Sequence, residues 1–210
     1  MKVSVVKKLL VTSLVAAMVL APCTAFAKTH TATPEAPKYY PTAEEPEPAP
    51  KNYEPTSEVA GVKSQLPGAY AVKKLAGFAV TTSLANAIAN LGLTGAERPF
   101  IKVYDISAKN SPLAFACIDA AAKSVGGTVI EAINVDFGKM SGGKFVRLEN
   151  GEVVAKVGLK KNQVVAGKKY AIVQVLPGGA TKIIEDQDND PNTVTFPVQA
   201  GLGAYAVIVY

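Results

Sequence analysis

Glycine and proline divide this chain of 210 residues into parts that cannot share one fold. All 17 glycines lie at Gly61 or later, whereas seven of the 14 prolines fall between Pro34 and Pro55. The proline-rich stretch is also rich in glutamate and poor in aliphatic residues, so it cannot bury enough apolar surface to offset its ordering entropy. We therefore predict a disordered Pro/Glu-rich stalk over residues 28–59. Residues 60–210 are predicted to form a single α+β extracellular domain, long enough for a hydrophobic core.

Three tyrosines lie close to stalk prolines, namely Tyr39, Tyr40 and Tyr53. One interpretation is a short docking motif for a partner with an aromatic-lined groove. The other is a spacer with a loose internal repeat, which we favour because proline-rich segments commonly hold a domain away from its anchor.

The first 27 residues have the three parts of a secretory signal peptide. Lysines at positions 2, 7 and 8 precede an apolar run over residues 9–20, and Ala25-Phe26-Ala27 supplies the small residues that signal peptidase requires. The apolar run is shorter than the ~20 residues that a transmembrane helix needs. We therefore predict residues 1–27 to be a signal peptide, and the protein to be secreted or extracellular, with association to the cell surface as an option.

A second processing route ends at Cys23, because Leu20-Ala21-Pro22-Cys23 has the outline of a lipoprotein cleavage box. Proline directly before the cysteine fits this box poorly. A membrane is a predicted partner only if Cys23 is lipidated.

The charge of the chain gives no reason to expect a nucleic-acid partner. The net charge is +5 for the whole sequence, and three of those positive charges belong to the predicted signal peptide. Four lysines form a basic cluster without interleaved arginines or aromatics, at positions 160, 161, 168 and 169. Such a cluster is typical of a solvated loop, with a wall polymer or anionic glycan as the lesser alternative.

The usual catalytic groups are almost absent from the predicted domain. His30 is the only histidine and lies in the stalk, and Cys117 is the only cysteine left after cleavage. No Ser-His or Cys-His pair can be built, and Cys117 lies among apolar helix residues typical of a buried small side chain. We predict that the protein is not an enzyme and has no cofactor, with weakly bound calcium as the one alternative.

The first half of the domain alternates helix and strand patterns. Residues 83–92 and 111–123 have helical periodicity, with Ser111 as the expected cap and Pro112 in the first turn. Residues 100–106 and 128–137 are rich in β-branched side chains and are predicted strands.

The second half is predicted to be β. Strands 145–148 and 153–157 flank Asn150-Gly151, a strong hairpin signal, and a second hairpin is expected around residues 177–179. Two more strands are expected at 193–198 and 204–210. The predicted fold class is α+β, with N-terminal helices and a β-rich C-terminal half that forms an antiparallel sheet or sandwich.

The end of the chain resembles the β-rich C-terminal modules of Gram-positive secreted and cell-surface proteins. The segments that carry the resemblance are residues 185–196, which end in Thr-Val-Thr-Phe, residues 204–210, and the preceding run 166–172. The helix-then-strand run 111–137 also fits, so that the resemblance covers residues 100–210. It implies a non-catalytic module of uncharacterised function.

Asp186, Asp188 and Asp190 are the one place where ligand chemistry is expected. Carboxylates at alternate positions resemble the first half of a calcium loop, but Pro191 occupies the position where such a loop needs glycine. One interpretation is a calcium site of ~0.1–1 mM affinity. The other, which we favour, is an acidic turn between two strands.

Taken together, the residues favour a non-enzymatic secreted or cell-envelope-associated interaction or structural module. Its expected partner is the cell wall or another extracellular protein. The alternative is a small-ligand or glycan-binding extracellular domain, and a hydrolase that uses carboxylates alone ranks third. An exposed cleft lined by tyrosines and carboxylates would favour the two alternatives.

Export has a direct test. Because the cleavage site follows Ala27, N-terminal sequencing of the secreted protein is expected to begin at Lys28. A lipid-carrying start at Cys23 would show that the lipoprotein peptidase acts instead, and an intact Met1 would contradict export.

Overall fold

A computed structural model describes residues 57–210. The predicted signal peptide, Cys23, His30 and nearly all of the predicted stalk lie outside the described residues.

The described residues form a β-rich domain with two helices, as expected in outline. The elements, in chain order, are β1 (Glu58–Val59), β2 (Val62–Lys63), β3 (Gly68–Ala71), β4 (Phe78–Val80), α1 (Leu84–Asn90), β5 (Arg98–Ile106), α2 (Pro112–Ser124), β6 (Thr128–Ser141), β7 (Lys144–Arg147), β8 (Glu152–Gly158), β9 (Tyr170–Val175), β10 (Thr181–Glu185), β11 (Thr193–Gln199) and β12 (Gly201–Val209). β1 includes Glu58 and Val59, two residues on the stalk side of the predicted boundary, and Val59 is buried.

Most strands belong to one large sheet and one small sheet. The large sheet has the order β10-β9-β12-β6-β5-β3, and β7 pairs with the end of β6. The small sheet has the order β11-β8-β4, and β1 and β2 form a separate ribbon. All of these pairs are antiparallel except β3 with β5, which run parallel.

The large sheet is covered on one face by the small sheet and on part of the other by α2. Side chains of β12 alternate between the two, as the period of a strand requires. Tyr205 and Val207 belong to the core between the sheets, whereas Ala206 and Ile208 pack with α2. The small side chains on the helix side let α2 approach the sheet closely, and its Cys117 is buried there, as predicted.

Four aromatic side chains form a row across the core between the two sheets. Tyr70 and Tyr205 come from the large sheet, and Phe78 and Phe196 from the small one. Successive ring centroids are 6.3, 6.4 and 5.6 Å apart, within the range of favourable aromatic pairs. We call these four residues the aromatic row.

Both predicted helices are present, but only one has the expected kind of cap. The Ser83 side chain accepts a hydrogen bond from the Asn86 amide at 3.2 Å, whereas the Ser111 side chain makes no capping bond. Before α2, the Asn110 side chain instead accepts bonds from the amide and hydroxyl of Ser107. Within residues 57–210, neither helix is long and apolar enough to cross a membrane.

The hairpin predicted around Asn150-Gly151 is wrong. β7 pairs with β6 through a two-residue turn at Gly142 and Gly143, both of which have positive φ. β8 lies in the small sheet, between β11 and β4. The Asn150-Gly151 segment therefore carries the chain from one sheet to the other, and the Gly151 carbonyl is tied to the amide of Ala200 at 2.8 Å.

The second predicted hairpin is confirmed, since β9 and β10 pair along their lengths and the Leu176 amide donates to the Ala180 carbonyl at 2.9 Å. The strands predicted at 100–106, 128–137, 193–198 and 204–210 are also present as β5, β6, β11 and β12.

Candidate functional site

A groove of about 370 Å³ contains the three predicted aspartates. One wall is the segment that follows β10, with Asp186, Asp188 and Asp190, and the other is the segment that leads into β9, with Lys168 and Lys169. Tyr170 and Tyr210 also line the groove. We call this the charged groove.

Asp188 is the most strongly held of the three carboxylates. Its Oδ2 lies 2.9 Å from the Lys156 ammonium on β8 and accepts hydrogen bonds from the hydroxyls of Thr193 and Thr195 on β11. Burial acts to raise the pKa of Asp188, but the bonds from Thr195, Lys156 and the Asp190 amide together hold that pKa below its ordinary value. Asp188 thus fastens the segment after β10 to the small sheet as an ionised carboxylate.

Asp186 is held by backbone groups instead of charges. Its Oδ1 accepts hydrogen bonds from the amides of Asp188 at 3.1 Å and Thr195 at 2.9 Å. Burial nevertheless raises the pKa of Asp186 above its ordinary value, with a smaller contribution from the charge of Asp188.

Asp190 closes a local turn, because its Oδ1 accepts hydrogen bonds from the amide and side-chain nitrogens of Asn192. Its own amide donates to Asp188 at 2.8 Å. The three residues therefore lie in one segment, each with partners from neighbouring backbone or side chains. Across residues 57–210, no group of three or more His, Cys, Asp or Glu side chains is placed to hold a metal ion, and calcium binding stays a prediction.

The opposite wall is basic and was not connected with the aspartates by the sequence pattern. Lys168 and Lys169 are exposed, and within the described residues neither side chain makes an ion pair. The Tyr170 hydroxyl anchors this wall by accepting a hydrogen bond from the Val165 amide at 2.6 Å. The other two lysines of the predicted basic cluster, Lys160 and Lys161, do not line the groove.

Sequence reasoning also missed the partners of Asp188. Lys156, Thr193 and Thr195 lie on two adjacent strands of the small sheet, far apart in sequence. Because Thr193 and Thr195 are two positions apart in a strand, the sequence alone indicates that they share one face. Only the pairing of β11 with β8 shows that Lys156 lies beside them.

A second surface lies on the helix side of the large sheet, where α2 does not reach. α2 packs against β9, β10, β12 and the beginning of β6, and Ile106 at the end of β5 belongs to the same cluster. Among residues 57–210, the first part of β5, the end of β6 and β7 lie beyond the reach of this helix. We call this region the open sheet face. It carries Phe100, Lys102 and Tyr104 from β5, Asn134 and Asp136 from β6, and Phe145 and Arg147 from β7.

Comparison of the chain with protein-family models, with curated proteins and with solved structures finds no match.

Substitution of Asp188 is predicted to lower the stability of the domain, and substitution of Asp186 is not. Asp188→Asn removes the charge that pairs with the half-buried Lys156, and we expect a loss of about 2 kcal/mol at neutral pH. Asp186→Asn keeps an acceptor oxygen and removes a charge whose pKa is already raised, so stability should be unchanged or higher. Urea unfolding of the chain beginning at Lys28 measures both.

The stability that Asp188 contributes should depend on pH in the direction set by its lowered pKa. Because the pKa of Asp188 is lower in the folded than in the unfolded chain, its contribution is complete above the unfolded pKa and is lost as pH falls through the folded pKa. The difference in unfolding free energy between wild type and Asp188→Asn should therefore disappear at acid pH, and a difference that persists unchanged would contradict this assignment.

Millimolar calcium in the same measurement tests the metal prediction, since binding to the folded state must raise stability. Equal stability with calcium and with chelator would overturn it.

Proposed function

We propose that this protein is a non-enzymatic secreted or cell-envelope-associated interaction module, and that the charged groove binds part of its partner. The observation that carries the proposal is the separation of charge across the groove. Lys168 and Lys169 lie on one wall, and the aspartate segment lies on the other. The proposal assigns no reaction to the protein.

Charge separation of this kind suits a ligand that carries both signs. A carboxylate would approach the two lysines, and an ammonium group would approach the exposed oxygens of the aspartate segment. Asp188 is engaged by Lys156, and Asp186 accepts hydrogen bonds from two backbone amides. The Oδ2 atom of Asp190 and the exposed Glu185 are therefore the carboxylate groups on this wall that we expect to meet a ligand. Peptides of the cell wall, or the terminal residues of an extracellular protein, have this chemistry.

The groove also supports the second candidate, a small-ligand or glycan-binding domain. Its volume of about 370 Å³ falls at the small end of the range for ligand sites. Tyr170 and Tyr210 line the groove together with the carboxylates, and a cleft lined by tyrosines and carboxylates favours this alternative. The two candidates share the groove and differ in the partner.

The location outside the cell is part of the proposal. It rests on the signal-peptide pattern of residues 1–27 and on the resemblance of residues 100–210 to Gram-positive surface modules. A cell-surface position would bring the groove to wall polymers and to neighbouring exported proteins.

Co-sedimentation with purified Gram-positive cell walls tests the proposal. The chain beginning at Lys28 should sediment with the walls, and Lys168→Glu/Lys169→Glu should weaken binding roughly tenfold, which corresponds to about 1.4 kcal/mol. The matched control Lys109→Glu/Lys144→Glu makes the same charge change on exposed lysines outside the groove and should bind like wild type.

Two wall preparations distinguish the partners. Binding to walls stripped of protein indicates a wall peptide or glycan, whereas binding only to walls that retain their proteins indicates a protein partner. Equal binding by wild type, groove variant and control would contradict a role for the groove. Failure of wild type to bind either preparation would contradict the proposed function.

A further inference from the structure

We propose that the open sheet face binds the acidic proline-rich segment 34–55 of the same chain. This surface is separate from the charged groove, so the inference goes beyond the proposed function and can fail independently of it. In this proposal the stalk tyrosines are part of a docking motif, and the partner is the folded domain of the same chain.

The open sheet face has an excess of positive charge. Along β5, alternation and register place Arg98 and Lys102 on the face that also carries Arg147 of β7. The carboxylate on this part of the face is Asp136, which is 7% exposed. This part of the face thus has three positive side chains and one buried negative side chain, which favours an anionic partner.

Arg147 is held in a fixed orientation. Its Nε lies 2.7 Å from Asp136 Oδ1 and its Nη2 lies 2.8 Å from Asp136 Oδ2, a bidentate pair that also raises the pKa of the guanidinium. Because the pair uses two of the five guanidinium N–H groups, three are left, and the side chain is 48% exposed. A carboxylate of a partner can accept hydrogen bonds from these without any rearrangement.

The aromatic residues of the same face are also preorganised. The ring of Phe145 lies over Gly138, where a Cβ would meet the ring at 2.8 Å, and the ring of Phe100 contacts it edge to face at 6.2 Å. The Lys102 ammonium lies 4.4 Å from the centre of the Phe145 ring. Tyr104 accepts a hydrogen bond from Asn134 at 2.6 Å. Proline-rich peptides dock on aromatic side chains, and acidic motifs are recognised by arginine, so this face offers both kinds of contact.

Segment 34–55 has the complementary chemistry. It contains seven prolines, five glutamates and only two lysines, together with the three stalk tyrosines. Proline restricts the backbone before binding, so less conformational entropy is lost on docking than for a flexible chain. The glutamates at positions 44, 45 and 47 give the densest negative charge in the segment.

The connection between the segment and the face is short enough. The Ser57 carbonyl accepts a hydrogen bond from the Ser64 amide at 2.7 Å, and the Ser64 hydroxyl contacts the Tyr70 hydroxyl at 2.5 Å. Tyr70 lies on β3, the edge strand beside β5, and its side chain faces the core between the sheets, so the segment passes around this edge to reach Lys102 on the other face. A proline-rich chain covers ~3.1 Å per residue, so roughly ten residues would cross ~30 Å, about twice the radius of gyration of a domain this size.

Because segment 34–55 is covalently attached to the domain, it is favoured over a separate peptide as the ligand of the open sheet face. Exposed charge pairs contribute little each, so a free peptide would bind weakly. Attachment to the same chain provides an effective concentration in the mM range, which is enough to populate a weak contact.

Paramagnetic relaxation in NMR spectra tests the contact directly. The chain beginning at Lys28 carries Ala43→Cys with a nitroxide label, while the buried Cys117 stays unlabelled. We expect loss of peak intensity at the amides of Phe145 and Arg147. The loss should be removed by 0.5 M salt, where the Debye length is below ~5 Å.

Two kinds of variant separate docking from a folding defect. Lys102→Glu should restore the peaks of Phe145 and Arg147, and the exposed Lys109→Glu should leave them attenuated. Glu44→Lys/Glu45→Lys/Glu47→Lys changes only the segment, leaves the domain sequence intact, and should also restore the peaks. No attenuation in the labelled wild type, or attenuation that survives the segment variant, would overturn the proposal. Attenuation seen only between labelled and unlabelled molecules would identify a second copy as the partner and would equally overturn it.

Discussion

The aromatic row between the two sheets is the contact on which the rest of the domain depends. Tyr70 and Tyr205 belong to the large sheet, and their rings pack on Phe78 and Phe196 of the small sheet. All four are at most 4% exposed. Each aromatic side chain buries a large apolar area, and here that area lies between strands that are distant in sequence.

The tyrosine hydroxyls at the two ends of the aromatic row are hydrogen-bonded, so the core favours one strand register as well as being apolar. The Tyr205 hydroxyl accepts hydrogen bonds from Gln174 Nε2 and from the Gln199 amide, both at 3.1 Å. The Tyr70 hydroxyl donates to the Leu66 carbonyl at 2.7 Å, and burial raises the pKa of Tyr70 to about 12. A slipped register would leave these groups unpaired, at a cost of ~1–3 kcal/mol each.

Both candidate surfaces follow from this arrangement of layers. The small sheet supplies β8 and β11, whose Lys156 and Thr195 hold Asp188 and therefore one wall of the charged groove. On the other side, α2 is too short to cover the whole large sheet, so β5 and β7 present charged and aromatic side chains to the solvent.

Local patterns in the sequence predicted the elements well. Helical spacing located α1 and α2, and the β-branched runs located β5, β6, β11 and β12, because these signals depend only on nearby residues. Pro177-Gly178-Gly179 correctly predicted a hairpin, since its flanking strands do pair with each other.

Pairing between distant strands could not be predicted in the same way. The Asn150-Gly151 pair looks the same in the sequence whether the strands on either side of it pair with each other or belong to different sheets. Here β7 pairs with β6 through the turn at Gly142-Gly143, and therefore does not pair with β8. The parallel pairing of β3 with β5, and the approach of Lys156 to Asp188, likewise need the tertiary arrangement. The aspartates and the lysine cluster could therefore be found from sequence, but the approach of Lys156 to Asp188 and the position of Lys168 and Lys169 across the groove could not.

Native-state hydrogen exchange on Phe196→Ala tests most directly whether the aromatic row joins the two sheets into one cooperative unit. Phe196 is fully buried, so removing its ring should lower the free energy of opening by about 3–5 kcal/mol. The account predicts the same decrease for the slowest amides of β8 in the small sheet and of β6 in the large sheet, with no decrease in the half-exposed control Val146→Ala. Loss of protection in β8 while β6 keeps its full protection would show that the sheets are stabilised separately, and would contradict the account.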